Sequence, residues 1–232
     1  MADLLADSLG MKPSNETKKM KILAASDIHC NANVLYDLGE TAARSQVDLI
    51  LLAGDVCGTR KSNDFCRNIN DLAKQVCCPV VLTPGNHDFW DPIQEFPTKQ
   101  ISEKTDVVCL VDESVEYGHV NIYGTPWTQT FYDWNWMKDE DELHFDIPLD
   151  TDILICHSPP FGYGDAVGMR RIGSKSLTKA IQDHPSLKFV FFGHNHGDRG
   201  KQFVINKTVL YNVACLDDDY RWAEDGFVMI EI

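Results

Sequence analysis

The chain has no apolar run near the roughly 18 residues that cross a bilayer, so the sequence offers no candidate membrane helix. Its first twenty residues carry acids, lysines and Pro13 instead of an apolar core of signal-peptide length. Residues 1–19 therefore read as a flexible tail on a cytoplasmic protein. Basic side chains are scarce: Lys and Arg total 21 against 35 Asp and Glu, a formal net charge of −14. A surface that neutralises duplex phosphates needs many cations, which makes polymeric nucleic acid a poor partner. No C-x-x-C pair occurs among the eight cysteines, which removes zinc-ribbon and thioredoxin-type chemistry. Cys109 and Cys156 sit in apolar strands, as small hydrophobes of a reducing compartment. There is no repeat of fixed period, no low-complexity tract and no Pro/Gly/Ser-rich linker. Residues 20–232 are therefore expected to form one domain, and a hydrophobic fraction of 44% supports a real core.

What is present is an alternation of short apolar runs with helical patterns. Residues 21–26 (KILAAS), 47–53 (VDLILLA) and 79–82 read as buried strands. Residues 32–44 place Val34, Leu35, Leu38 and Ala42 on one helical face. Residues 65–76 do the same with Ile69, Leu72, Ala73 and Val76. This β-α-β-α-β series predicts parallel strands with covering helices. Past Trp90, strands at 107–111, 115–117 and 120–123 leave little room for helices, so a more antiparallel region is expected. Residues 126–149 are irregular and aromatic. A strand at 152–156, a helix near 176–184 stopped by Pro185, and strands at 188–192, 203–205, 209–213 and 227–232 complete the chain.

Five strands run directly into potential metal ligands, nearly all of them Asp, Asn or His. Asp27 and His29 follow the first, Asp55 the second, and Asn86, His87 and Asp88 the third. His157 ends the strand at 152–156, and His194 and His196 end the strand at 188–192. Open α/β sheets bind ligands at the carboxyl ends of their strands, so these residues can converge although they span most of the chain. Imidazole together with carboxylate suits Zn, Mn, Fe, Ni or Co. A carboxylate has two oxygens, which makes Asp55 a natural bridge between two ions. The glycines before Asp55, Asn86 and His194 are expected to let the chain turn tightly out of each strand.

The ordered set D-x-H, G-D, G-N-H-D, a lone His and G-H-x-H, from Asp27 to His196, resembles the calcineurin-like metallophosphoesterase superfamily. The stretches GTPWTQTFYDWNW (124–136) and DILICHSPPFGYGD (152–165) look most similar to the small metallophosphoesterase-domain-containing phosphodiesterases. The resemblance covers about residues 20–215. It implies a four-layer α/β/β/α sandwich of two mixed sheets, with a dinuclear metal site at the strand C-terminal edge. It implies one ion held by Asp27, His29, Asp55 and His196, and a second held by Asp55, Asn86, His157 and His194. Such ions stand roughly 3.5–4 Å apart, activate water for in-line attack and neutralise phosphate oxygens. His87 matches the family's non-ligand histidine, which protonates the leaving oxygen or steadies its charge. The implied activity is a phosphodiesterase on small substrates, such as cyclic nucleotides or other low-molecular-weight diesters. Mn2+ is the first choice of metal, with Fe2+, Zn2+, Ni2+ and Co2+ as alternatives. A phosphomonoesterase, a nuclease and a non-catalytic adaptor of the same fold are the alternative readings.

The chain also departs from family patterns. Phosphoprotein phosphatases carry G-D-x-x-D-R after the second strand, whereas here Gly54 and Asp55 are followed by Val56, Cys57, Gly58, Thr59 and Arg60. The acid that would orient His87 is missing, which leaves open what holds that ring; Asp88 is adjacent. Gly58 stands where purple acid phosphatases have a Tyr, so tyrosine-ligated iron is not expected. The run Trp127, Phe131, Tyr132, Trp134 and Trp136 reads as loop packing ahead of a substrate wall. Tyr163 or Asp165 could touch substrate, and Arg170 and Arg171 could meet a phosphate or form a solvated pair. His119, His144 and His184 read as surface or turn histidines. Cys156 is expected to face away from the ligand loop and to be inert.

Overall fold

A computed structural model describes residues 19–57, 74, 76, 78–88, 107–222 and 226–232. The expected tail up to residue 18, nearly all of the expected helix at 65–76, and Gly58, Thr59 and Arg60 lie outside the described residues. Strand β1 (Lys21–Ala25) leads into helix α1 (Ala32–Ser45). The Asn31 side chain caps that helix by accepting from the backbone N–H groups of Asn33 and Val34. Gln46 ends it in the left-handed conformation. Strands β2 (Leu49–Ala53), β3 (Val80–Thr83) and β4 (Val107–Cys109) follow, each joined parallel to its neighbour. Strand β15 (Val228–Glu231) pairs antiparallel with β1, giving the order β15-β1-β2-β3-β4.

The second sheet contains six strands in the order β13-β14-β12-β9-β6-β5. Its strands are β5 (Glu113–Tyr117), β6 (Val120–Thr125), β9 (Ile153–Cys156), β12 (Phe189–Phe192), β13 (Gln202–Ile205) and β14 (Thr208–Asn212). The expectation of a more antiparallel region is met only at the edges, where β5 pairs with β6 and β13 with β14. The interior is parallel through β6, β9, β12 and β14. Parallel neighbours need a crossover. Helix α2 (Lys175–Asp183) lies in the connection from β9 to β12. Between β6 and β9 the aromatic excursion through 126–152 makes the crossover with no helix. That excursion contains only the two-residue strands β7 (Thr128–Gln129) and β8 (Met137–Lys138).

Three apolar clusters mark the interfaces of four layers. Val34, Leu38 and Ala42 of α1 pack on Leu23, Ile50 and Leu52. Ile22, Leu49 and Leu51 of the first sheet meet Ile122, Ile153 and Phe191 of the second. Leu177 and Ile181 of α2 cover Leu154, Cys156 and Val190. Alternate residues of β9 thus serve opposite faces, as the pleat requires. Each fully buried aliphatic side chain contributes about 1.5–3 kcal/mol. The fold is the expected α/β/β/α sandwich. The two sheets also meet at one edge, where the Ser26 N–H donates to Val213 O at 2.8 Å and the Cys215 N–H to Ser26 O at 2.9 Å. Among the described residues no helix is long and apolar enough to cross a membrane.

Candidate metal centre

The loops leaving β1 and β2 are laced together before either reaches its side chains. The Asp27, His29 and Cys30 N–H groups donate to the carbonyls of Gly54, Asp55 and Val56 at 2.9–3.0 Å. Asp27, His29, Cys30, Asp55 and His194 all have positive φ, from 47° to 68°. Non-glycine residues held there cost of order 1–3 kcal/mol each and gather at functional sites. The strain is offset where backbone hydrogen bonds lace the first two loops together and where the His194 N–H donates to Asp27.

Strand exits deliver the predicted donors to one place. His29 Nε2 and His196 Nε2 face each other at 3.3 Å. Asp27 Oδ1 lies 3.8 Å from the first and 3.3 Å from the second. Asp55 Oδ2 lies 3.3 Å from His157 Nε2 and 3.7 Å from His29 Nε2. His157 Nε2 is also 3.0 Å from Asn86 Oδ1. His194 stands one step outward, its ring 5.1 Å from that of His157 while its N–H donates to Asp27. Three overlapping donor sets result: Asp27–His29–His196, Asp27–Asp55–His157 and His29–Asp55–His87, with all atoms of each set within 4.8 Å of one another. Imidazole nitrogens and carboxylate oxygens gathered this closely form a set of donors suited to a divalent cation. The far nitrogens of two of these rings are spoken for. His157 Nδ1 lies 2.9 Å from Ala53 O and His196 Nδ1 3.0 Å from Asp217 O, which turns each Nε2 toward the centre.

Electrostatics at the centre are dominated by burial and by the proximity of opposite charges. Burial would raise the Asp27 carboxyl, but the His196 hydrogen bond and the charges of His157, His196 and His29 hold it far below the carboxylate range. Asp55 resists burial in the same way, held down to about 2 by His157 and His29. Burial pushes His29 down to about 4 against Asp55 and Asp27. Burial and the neighbouring His157 take His194 to about 3. Burial also opposes charging His157 and His196, yet Asp55 and Asp27 outweigh it and lift both to about 9. Two carboxylates therefore demand positive charge at the centre, and protons on two imidazoles supply it in the absence of metal.

The structure answers what holds His87. Asp88 does not: its carboxylate turns away and accepts from the N–H groups of Gly85 at 2.8 Å, Cys57 at 2.8 Å and Val56 at 3.3 Å. It clamps the loop after β2 to the loop after β3, and burial together with Asp55 pushes its own pKa up to about 7. His87 instead stacks on Trp134 with ring centroids 4.1 Å apart, and its N–H donates to Asp55 Oδ1 at 2.7 Å. The aromatic run is thus divided. Trp134 backs His87, Phe131 lies 5.3 Å from the His194 ring, and Trp127 and Trp136 pack edge to face as plugs.

The expected role of the glycines also needs correction. Gly54 does turn with φ 90°, but Gly85 and Gly193 matter for close approach. A Cβ on Gly85 would collide with Asp55 Oδ1 and the Asp55 backbone N, and one on Gly193 with Asp27 Oδ2 and Ser26 Oγ. Sequence reading missed Tyr220, whose ring lies 4.9 Å from His29 and 5.2 Å from His196. It also missed Asn195, whose Nδ2 ties the metal loop to Gly164 O at 2.8 Å and Ala166 O at 3.3 Å. Asn195 is the variable position of G-H-x-H and Tyr220 lies in the loop after β14, so neither has a spacing signature of its own. Tyr163 packs with Phe203 and Asp165 pairs with Arg171, so neither faces the centre. His184 is a turn residue that accepts from the Leu187 N–H at 3.0 Å. Cys156 faces α2 as expected, and burial drives its thiol far up.

Residues 20–198 match the model of the calcineurin-like phosphoesterase family. The chain is 33% identical over 102 residues to metallophosphoesterase domain-containing protein 1 of Homo sapiens, a stretch covering 41% of this chain and 31% of that one. It is 25% identical over 220 residues to a UPF0046 protein of Caenorhabditis elegans, covering 88% of this chain and 72% of that protein. The chain spans about half or less of several other curated relatives it matches. The structure of TT1561 from Thermus thermophilus superposes with a TM-score of 0.65 at 17% identity, covering 85% of this chain and 90% of that one. That likeness concerns the fold.

Proposed function

Because the chain belongs to the calcineurin-like phosphoesterase family, we propose that it is a dinuclear-metal-dependent phosphodiesterase acting on small diesters such as cyclic nucleotides. The observation that carries this reading is the convergence of Asp27, His29, Asp55, His157 and His196 from four separate strand exits onto overlapping donor sets. Asp27, His29, Asp55 and His196 would hold one divalent cation, and Asp55, Asn86, His157 and His194 would hold the other. When bound, such a pair supplies water activation and neutralisation of phosphate oxygens. Mn2+ suits the mixed nitrogen and oxygen donors, as do Fe2+, Zn2+, Ni2+ and Co2+.

The chain's own residues supply the rest. Asp55 accepts the His87 N–H through Oδ1 while its Oδ2 faces His157 and His29, so one carboxylate sets both the donors and the acid. Trp134 limits the rotation of His87, which donates a proton to the leaving oxygen. The chamber between these residues holds about 250 Å³ and is bordered by Tyr220, Phe131 and Asp218. That size suits one phosphoryl group with a small substituent. No Lys or Arg borders it among the described residues, which favours a monoanionic diester over a dianionic monoester. The net charge of −14 argues against a polymeric nucleic acid. The buried thiols of Cys156 and Cys215 are consistent with a reducing, cytoplasmic setting.

The test is hydrolysis of bis-p-nitrophenyl phosphate by the Mn2+-loaded protein between pH 6 and 9, run beside p-nitrophenyl phosphate. Faster turnover of the diester supports the reading, and faster turnover of the monoester makes the protein a phosphomonoesterase. Absence of turnover of either compound with every divalent ion removes the enzymatic reading. Metal content unchanged in Asp55→Asn would favour an adaptor.

A further inference from the structure

Beside the inner chamber lies a larger one of about 530 Å³, and Phe131, Val167 and His194 form the wall common to both. The outer chamber is completed by Tyr132, Arg170 and Ile172. Its position is set by a hairpin of β10 (Ala166–Val167) and β11 (Arg170–Arg171). Val167 and Arg170 are cross-strand partners in that hairpin, so both project to the same face, and that face is the chamber. Ala166 and Arg171 are the other pair, and Arg171 is taken by Asp165. Arg170 pairs with no carboxylate among the described residues. Asn195 holds the hairpin to the loop that carries His194 and His196, through Gly164 O and Ala166 O. The chamber wall is therefore fixed to the candidate metal centre. Phe131 and Tyr132 meet edge to face at 6.0 Å and add two aromatic rings to the lining.

We infer that this outer chamber is the subsite for the organic group of the substrate. It takes a planar aromatic ring against the side chains of Phe131, Tyr132, Val167 and Ile172, with a hydrogen-bond acceptor or anionic edge turned to Arg170. The inference rests on the phosphodiesterase reading for what occupies the inner chamber. The volume lies within the 300–1,000 Å³ of small-molecule pockets. Val167 is 50% exposed and Tyr132 87% exposed, an outlay of apolar surface beside a polar centre that packing does not explain. Arg170 brings the one guanidinium or ammonium group lining either chamber among the described residues. A guanidinium fits a planar carboxylate or carbonyl edge.

Binding of inert phosphonates separates this claim from catalysis. Phenylphosphonate is expected to bind the Mn2+-loaded protein roughly tenfold more tightly than methylphosphonate by calorimetry, the size of one ring-stacking contact. 4-Carboxyphenylphosphonate should bind more tightly still. Val167→Asp should bring the phenyl-to-methyl ratio close to one, and Arg170→Gln should erase the gain from the carboxylate. Tyr132→Ala alters an exposed side chain and carries the test if Val167→Asp fails to fold. Equal affinity for phenyl- and methylphosphonate, no binding of phenylphosphonate, or a ratio that survives both wall variants would overturn the inference. A phenyl preference in a protein that hydrolyses no diester keeps the subsite and removes the diesterase reading. Diester hydrolysis with no phenyl preference does the reverse.

Discussion

Replacing Gly85 with Ala probes the centre through one methyl group. The new Cβ would stand 2.8 Å from His157 Cε1 and would overlap both Asp55 Oδ1 and the Asp55 backbone N. The backbone atom has no rotamer to escape into, so the strand exits after β2 and β3 must separate. Restoring carbon contacts of about 3.5 Å requires a movement on the order of 1 Å. Functional geometry tolerates about 0.5 Å, and a misplacement of about 1 Å costs on the order of 100-fold in rate. Overpacking of this kind costs about 1–3 kcal/mol, which is about 2–12 °C in Tm for a chain of this size. Gly85→Ala should therefore stay folded, lose most of its bound Mn2+ by elemental analysis, and fall about 100-fold in kcat/KM on bis-p-nitrophenyl phosphate. Gly200→Ala is the control: φ there is 71° with open space around the new methyl, so it loses about 1–2 kcal/mol from the left-handed backbone and keeps its metal. Full metal content and normal kinetics in Gly85→Ala would refute the argument that close approach at Gly85 positions Asp55.

Three further outcomes follow from the same geometry. Trp134→Ala should lower kcat about two- to tenfold with metal content intact, since a stacked aromatic pair contributes about 0.5–1.5 kcal/mol; Trp134→Phe should recover most of the loss, and a variant with unchanged kcat would show that the stack at 4.1 Å does not position His87. In the metal-free protein His157 and His196 are raised from 6.5 to about 9, so their stabilisation is complete below pH 6.5 and disappears as pH climbs through about 9. A cation must displace those protons, so the Tm gain from Mn2+ should grow between pH 6.5 and 8.5, and thermal melts showing a flat or shrinking gain would contradict the ligand assignment. Asp88→Asn places an amide donor among three backbone N–H groups and should lower stability by about 1–3 kcal/mol; denaturant titration checks it, and an unchanged midpoint would mean the clamp is not needed.

The convergence of these residues was legible because each lies within four residues of the end of an apolar strand, and strands of that kind are read by composition alone. Asp27, Asp55, His157 and His194 need no long-range knowledge beyond the rule that parallel strands end together. What sits behind them is different. Trp134 reaches His87 across 47 residues, and nothing in local spacing distinguishes it from Trp127, which plugs a loop. Gly85 and Gly193 read as turn residues because a sequence shows a missing side chain and not what passes through the vacated space. The parallel interior of the second sheet was hidden for a related reason. The usual sign of a parallel crossover is a helix, and the link from β6 to β9 is made by irregular aromatic chain. That chain is then available to form the wall against His87 and His194.

On the proposed reading, Asp55 ties metal retention to acid placement. Its Oδ2 belongs to the donors, its Oδ1 fixes the backbone of His87, and its own φ of 51° is held by the lacing of the first two loops. Removing positive charge from the centre leaves two buried carboxylates facing each other's field, a cost that protons on His157 and His196 offset only while the pH is below about 9. Above that, relief requires a shift of Asp55 or Asp27. Any shift of Asp55 drags the His87 N–H with it and disturbs the stack on Trp134. Loss of metal at alkaline pH should thus alter Trp134 fluorescence as well as activity. An emission spectrum insensitive to chelation at pH 9, in a protein whose other four tryptophans are replaced by Phe, would separate the two roles of Asp55.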